Sequence, residues 1–334
     1  MQTADISIII PIYNVQDYLI ECLESVVKQT FTGMIECILV DDCGSDNSIA
    51  LAQHFIENNK NPRFTFKILH HSKNRGLSAA RNTGVIEATG NFIFFLDSDD
   101  AITTECIEQM MEVVEKYPNV EMVQGGINNI AGKAIYDIQN KNLPDYCDNV
   151  RWIKNNLLLS YLIPGSSWNK LINRQFLLNH QITQVEGIIY EDAPYSFLLA
   201  QKLNNIGFCK HNTYLYRTQR TGSITSTAKE EKSLESRLII LNYCLDLVDN
   251  RFKEIQMRSL MLKCLTYLNM HQLNLLQKHN QEIDDIISKL IQGMPFPRKI
   301  FTFLYASLPL KIQHSTFCTK FFRKVFAEKI NAEL

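Results

Sequence analysis

The sequence predicts an α/β fold: a mostly parallel sheet flanked by helices over residues 1–226, then an all-helical region over 227–334. Three observations predict it. Short runs rich in β-branched and aromatic residues recur at Ile6–Ile12, Glu36–Val40, Phe64–Leu69 and Phe92–Leu96, the composition of buried strands. Stretches of helical period separate them with short turns, and such repeats build right-handed crossover units on a parallel sheet. Beyond Ser226 glycine nearly vanishes, and Leu, Met, Lys and Gln dominate helical patterns to about Gln292.

The elements follow in order. Pro11 should mark the end of the first strand, since proline cannot feed a central ladder; Tyr13 and Asn14 come next. Leu19, Cys22, Leu23, Val26 and Val27 share one helical face. The second strand ends in Asp41-Asp42, Gly44-Ser45-Asp46 turn, and Asn47–Glu57 is helical. His70-His71 follow the third strand, and Asn74-Arg75-Gly76-Leu77-Ser78-Ala79-Ala80-Arg81-Asn82 open a helix that ends near Gly90. The fourth strand stops at Asp97-Ser98-Asp99-Asp100. A helix over Thr103–Tyr117, a strand near Val120–Gln124 and a mixed stretch with a small hairpin over Gly125–Asn149 come next. Trp152–Leu159 is helical, and 164–171 is a turn leading into apolar structure. Glu191-Asp192 precede a helix over Ala193–Leu203, whose N-terminus favours acids. Thr213–Arg217 is strand-like, with Arg217, Arg220 and Ser223 in a polar loop.

The totals exclude several classes. A chain of 334 residues with 46% hydrophobic and 21% charged residues folds around a large core in more than one domain. A formal charge of −1 gives no global reason to expect nucleic acid. Nine cysteines without a Cys-x-x-Cys pair indicate neither a zinc ribbon nor a disulfide framework, but buried thiols in a reducing compartment. The N-terminus runs into a strand with no basic leader, and no apolar stretch reaches the ~18 residues of a spanning helix. A cytoplasmic protein, soluble or peripheral, is expected.

The polar clusters at Tyr13, Asp42, Asn74–Arg81 and Asp97–Asp100 all follow strands, so they should converge on one sheet edge, where open α/β sheets collect ligands. Three carboxylates within four positions repel one another unless a cation holds them ionised, and hard oxygen ligands suit Mg²⁺ or Mn²⁺ carrying a phosphate. The plainer reading has Asp100 or Thr103 capping the next helix, which needs one such side chain and not three. Asp41 reads as a turn residue bonding backbone. Asn74-Arg75-Gly76 reads as a backbone-shaped loop, with Gly76 permitting close approach. His70 and His71 read as solvated loop histidines, and His211 is a weaker metal-ligand candidate.

Together, Ser7–Asn14, Leu39–Asp46, Asn74–Asn82 and Phe95–Asp100 resemble the blocks of the family 2 glycosyltransferases. So do Trp168-Asn169-Lys170-Leu171, Tyr190-Glu191-Asp192 and Tyr216-Arg217 through Ser223-Ile224-Thr225, all in family order across residues 5 to 226. Only Cys43 stands where the family usually has another small residue. The resemblance implies a GT-A fold and inverting transfer of a sugar from a nucleoside-diphosphate donor. It places Pro11, Tyr13, Asn14 and Asp42 at the nucleotide base, with uridine favoured, and Asn74 and Gly76 in the donor loop. Asp97 and Ser98 would meet the ribose or sugar, and Asp99, with Asp97, the metal. Arg81, Arg217, Arg220 and Ser223 would face the diphosphate. Asp192 would be the general base, and Glu191 would help to place the acceptor or donor sugar.

Two other functions compete. A sugar nucleotidyltransferase needs a glycine-rich loop with a basic residue after the first strand, where Pro11-Ile12-Tyr13-Asn14 stands. A non-catalytic nucleotide-sugar-binding subunit does not need the acids at Asp97, Asp99 and Asp192. Neither Gly-x-Gly-x-x-Gly nor a Gly-Lys-Ser/Thr loop is present, so a dehydrogenase or P-loop enzyme is unsupported. The tail over Ile286–Ala327 contains no Asp or Glu. It interleaves Lys289, Arg298, Lys299, Lys311, Lys320, Arg323 and Lys324 with Phe296, Phe301, Phe303, Tyr305, Phe317, Phe321, Phe322 and Phe326. That pattern suits a helix pair on an anionic membrane face near a lipid-linked saccharide acceptor, or a core-packing pair with a solvated basic rim.

Overall fold

The computed structural model describes residues 4–218, 228–296, 298–308, 310–313 and 315–327. Contacts divide the chain into two compact units: residues 1–148, 166–187 and 203–221, and residues 149–165, 188–202 and 222–334.

The first unit is built on a ten-stranded sheet. Strands β1 (Ile6–Ile12), β2 (Ile35–Asp41), β3 (Phe64–His70) and β4 (Phe92–Phe95) are mutually parallel in the order β3-β2-β1-β4. β1 is buried along its whole length, and each isoleucine taken from water contributes roughly 1.5–3 kcal/mol. Helices α1 (Leu19–Val27), α2 (Ser48–Asn58) and α3 (Leu77–Glu87) connect these strands. In register, Ile12 faces Asp41 and Asp41 faces His70, so the strands deliver their carboxyl ends to one edge, as expected. Pro11 lies inside β1 and not at its end. β4 stops pairing opposite Ile9, so beyond that point β1 is bonded on one side only and tolerates a residue without an N–H.

The sheet continues through β9 (Lys170–Asn173), antiparallel to both β4 and β6 (Met122–Asn129), and then β10 (Ile206–Tyr216), parallel to β6. Short strands β5 (Ala101–Ile102), β7 (Ala134–Tyr136) and β8 (Tyr146–Cys147) finish its edges. β6 extends past the expected Gln124 because Gly125 and Gly126 mark a close approach and not a turn. A Cβ on them would come within 2.0 Å of Thr213 Oγ1 and Asn212 Oδ1. Helix α4 (Cys106–Lys116) begins later than expected, and Glu105 precedes it without a side-chain cap bond. Asp100 and Thr103 therefore do not cap it. Helix α6 (Arg174–Asn179) closes this unit.

The second unit is helical among the described residues: α5 (Val150–Leu158), α7 (Asp192–Lys202), α8 (Glu230–Asp246), α9 (Lys253–Met270), α10 (Leu273–Lys278), α11 (Asn280–Gly293), α12 (Arg298–Ala306), α13 (Leu310–Gln313) and α14 (Thr316–Ala327). α7 and α9 are buried over most of their length and form its core. Buried Lys154 of α5 donates to the carbonyls of Ala200 and Gln201, satisfying the last turn of α7. That burial lowers the ammonium to about 8. Of the nine cysteines, eight are buried thiols and Cys43 is exposed. No described helix is long and apolar enough to cross a membrane.

Candidate active site

At the ends of β1 and β2 the chain makes a bonded cradle. Tyr13 is exposed at 45%. Asn14 is left-handed (φ 51°), and its Oδ1 accepts from Ser45 N–H at 2.8 Å. Asp41 Oδ1 accepts from Cys43 N–H at 3.0 Å, the turn role expected of it, and His70 lies at 2.9 Å from its other oxygen. Asp42 is only 3% exposed. Its Oδ1 accepts from Arg75 N–H at 2.8 Å and from His71 Nδ1–H at 2.7 Å, and its Oδ2 accepts from Gly76 N–H at 2.7 Å. Both oxygens thus hold the donor-loop candidate Asn74–Gly76, whose Gly76 adopts φ 88° ahead of α3. His71 is a correction: it is buried between Asp42 and Thr83 Oγ1 (2.9 Å), not solvated.

At the end of β4 the acids occupy unequal surroundings. Arg81 is 1% exposed. It donates to Asp97 Oδ1 at 2.6 Å and to Gln184 Oε1 at 3.3 Å, so it reaches the site by holding Asp97. Ser98 is buried, and Asp99 is half-buried. Asp100 is buried, accepting from Tyr214 OH at 2.8 Å and from Arg217 N–H at 2.7 Å. Burial, then the Asp97 and Asp99 carboxylates, push Asp100 up to about 8 against those two bonds. Arg217 Nε donates to the Asp99 carbonyl at 2.9 Å, its Nη2 pairs with Glu21, and its guanidinium covers Tyr18. Arg220 and Ser223 lie outside the described residues.

Behind these acids stands an aromatic stack that the sequence did not reveal as such. Trp168 lies on Tyr214 at 4.4 Å and on Tyr216 at 5.3 Å between ring centroids. Tyr214 links stack to acids, its OH also accepting from Asp97 N–H at 3.2 Å. Asn169 is left-handed at φ 56° and bonds the carbonyls of Gly125 and Gly126, while buried Lys170 donates to Ser166 O at 2.6 Å. In the second unit, half-buried Glu191 and Asp192 open α7, and Pro194 sits in its first turn, where a missing N–H costs nothing. His211 is exposed on β10.

Among the described residues no three His, Cys, Asp or Glu side chains are grouped to hold a metal ion. Asp97 is engaged by Arg81 and Asp100 by Tyr214 and Arg217, and half-buried Asp99 lies between them in sequence. That donor set does not fit an all-protein cage. It fits a Mg²⁺- or Mn²⁺-like ion that takes most of its oxygens from phosphate and water.

A mixed sheet that gathers a base-sized aromatic, a bonded loop and an acid cluster at one edge, with a helical C-terminal region, is the GT-A fold of glycosyltransferases. Residues 7–169 match the family described as Glycosyl transferase family 2. Glycosyltransferase GlyG of Streptococcus pneumoniae serotype 4 is 29% identical over 300 residues, spanning 84% of this chain and 89% of GlyG. EpsH of Bacillus subtilis is 30% identical over 250 residues, spanning 72% of this chain and 68% of EpsH. Residues 1–349 of S. aureus TarS, solved with UDP-GlcNAc, share the fold with a TM-score of 0.69 at 20% identity, over 97% of this chain and 90% of that one. The chain belongs to glycosyltransferase family 2, as the sequence blocks implied, and it is a glycosyltransferase.

Proposed function

We propose that this enzyme transfers a sugar, with inversion, from a UDP-sugar to a saccharide or lipid-linked saccharide acceptor in surface-polysaccharide synthesis. The observation that carries the reading is the convergence at one sheet edge of Tyr13, the loop held by Asp42, the Arg81–Asp97 pair and Asp99. The UDP-GlcNAc seen in TarS supports uridine as the base. Tyr13 offers its exposed ring for stacking beside Pro11 and Asn14, and Asp42, whose Oδ2 accepts one bond from the loop, would accept a second from a ring N–H. Asp97 and Ser98 meet the ribose or sugar. Arg217 flanks the diphosphate, with Arg220 and Ser223 assigned to the same task. Asp99, with Asp97 beside it, would hold a Mg²⁺ or Mn²⁺ ion whose chemistry is to neutralise charge on the departing diphosphate. Asp192 takes the proton of the acceptor hydroxyl as its oxygen attacks the anomeric carbon from the face opposite UDP, and Glu191 orients a sugar.

Binding of a UDP-sugar panel with and without Mn²⁺, followed by UDP release, tests these roles. Asp99→Ala removes metal-dependent donor binding. Asp192→Asn keeps donor affinity and lowers turnover by roughly 10²–10⁴-fold, the usual scale for a general base. Equal loss of affinity in both variants contradicts the assignment.

The tail supports a peripheral site on the cytoplasmic face of the membrane. Tyr305, Phe322 and Phe326 turn inward, and Arg258 Nε donates to the Phe326 carbonyl at 2.9 Å, so α12 and α14 have a packed face. Their outward faces differ: Ile300, Phe303 and Leu304 beside Lys299 on α12, and Lys320, Phe321, Arg323 and Lys324 on α14, with Phe296 exposed at 80%. Apolar and cationic surface together suit anionic lipid. The side chains of Lys311 and Phe317 lie outside the described residues. Charge reversal at Lys299, Lys320 and Lys324 should abolish cosedimentation with phosphatidylglycerol vesicles; unchanged binding refutes the idea.

A further inference from the structure

The loop that enters α7 is backed by a buried cation. Arg237 of α8 is 6% exposed, and its guanidinium lies 4.3 Å from the Tyr190 ring centroid and 5.2 Å from that of Tyr267. Its Nη1 donates to Ser233 Oγ and to His271 Nε2, each at 2.8 Å. A guanidinium only donates, so His271 Nε2 is the unprotonated nitrogen. Burial, then the Arg237 charge, hold that imidazole below its ordinary pKa, with Glu230 opposing. Among the described residues no carboxylate pairs with Arg237, and its buried Nε has no hydrogen-bond partner. Burying a charge with so little compensation is expensive, and the two ring faces offset part of that cost.

The same stretch of α8 fixes the loop at two more points. Tyr190 OH lies 3.1 Å from Ser233 Oγ, and Ser236 Oγ accepts from Ile189 N–H at 3.2 Å. Tyr190 is left-handed at φ 67°, a conformation that persists in a non-glycine residue only when its surroundings enforce it. Ala193 N–H closes the turn on the Tyr190 carbonyl at 3.1 Å. Glu191 and Asp192 are the two residues inside that turn.

We propose that Arg237, with Ser233 and Ser236, is the positioning element for the Glu191–Asp192 pair, clamping the Tyr190 ring so that the strained turn presents both acids in one orientation. The inference rests on Asp192 being the general base. A clamp needed only for folding would be served as well by a Leu or Met, which fill such a space without desolvating a charge. A planar, doubly bonded guanidinium fixes ring orientation, and a lysine does not reproduce it.

The test measures kcat, donor KM and thermal midpoint across a panel of UDP-GlcNAc, UDP-glucose and UDP-galactose, with UDP release as readout. The proteins are wild type, Arg237→Lys, Arg237→Met, Asp192→Asn and the Asp192→Asn/Arg237→Met double variant. Arg237→Met should lower kcat by ~10–100-fold with donor KM within about twofold, the scale of a small misplacement of a catalytic group. Arg237→Lys should recover little of that loss. In the Asp192→Asn background Arg237→Met should cost much less than in the wild type, because the base that it positions is already gone. Wild-type kcat in Arg237→Met, or the same fractional loss in both backgrounds, overturns the proposal. Wild-type kcat in Asp192→Asn overturns the reading beneath it instead. Should Arg237→Met not fold, Ser236→Ala decides by the same cycle, with a ~2–5-fold loss expected from one weakened loop bond.

Discussion

Asp42 and Arg237 are buried charges of opposite sign, one in each unit, and each holds a loop that carries candidate chemistry. Asp42 is compensated by the N–H groups of Arg75 and Gly76 and by His71, all aimed at its two oxygens. Arg237 has two ring faces, a serine and one imidazole nitrogen. Backbone can satisfy either sign, an anion through N–H groups and a cation through carbonyls, as Lys154 does on Ala200 and Gln201; Asp42 takes that route, whereas Arg237 takes ring faces and side-chain acceptors. The anion therefore organises a glycine-bearing loop, and the cation organises one led by a tyrosine. The difference also divides labour: the first loop belongs to the donor end of the proposed reaction, the second to its base.

The largest expected effect separates those two tasks. Asp42→Asn is isosteric, but whichever way the amide turns, its NH₂ group faces an N–H donor of the loop. Two opposed donors in a buried site cost about 2–6 kcal/mol, taking ~1–3 kcal/mol for each unsatisfied group. The variant should melt earlier and bind UDP at least tenfold more weakly, whereas Arg237→Met keeps UDP affinity. Calorimetric titration with UDP plus Mn²⁺ on both proteins checks this. Similar UDP affinity in the two variants would mean that the loops do not serve different substrates.

How much of this was legible follows from the range of each interaction. β1 to β4 and their shared edge could be read because parallel strands buried on both faces announce themselves in a few residues. β9 could not, since four residues show no period, and Lys210, His211 and Asn212 hid the first half of β10. The acids after β4 were conspicuous, yet Asp100's environment was not: Tyr214 and Arg217 are more than 110 positions away. His71 looked like a loop residue because its burial depends on Asp42, 29 positions earlier. Arg237 falls at a position of α8 that a helical pattern assigns equally well to solvent. Strand-end chemistry is local and visible; the groups that hold it in place are distant and are not.

A smaller effect sharpens the comparison through pH. The His271 pKa is lowered in the folded protein, by burial first and by Arg237 second, while in the unfolded chain it titrates near 6.5. Between those two values the unfolded chain binds more protons than the folded one, so stability increases with pH. The contribution is present above about pH 6.5 and is lost as pH falls through the folded value. The structural cause is specific: a proton on Nε2 would point an N–H at the Arg237 guanidinium, which has nothing to accept it. His271→Gln can keep an amide oxygen toward Arg237 and does not titrate, so it should lose less stability on acidification. Urea midpoints at pH 7.5 and 5.5 for both proteins measure the difference. Equal acid loss in the two would place the sensitivity elsewhere than at the His271–Arg237 contact.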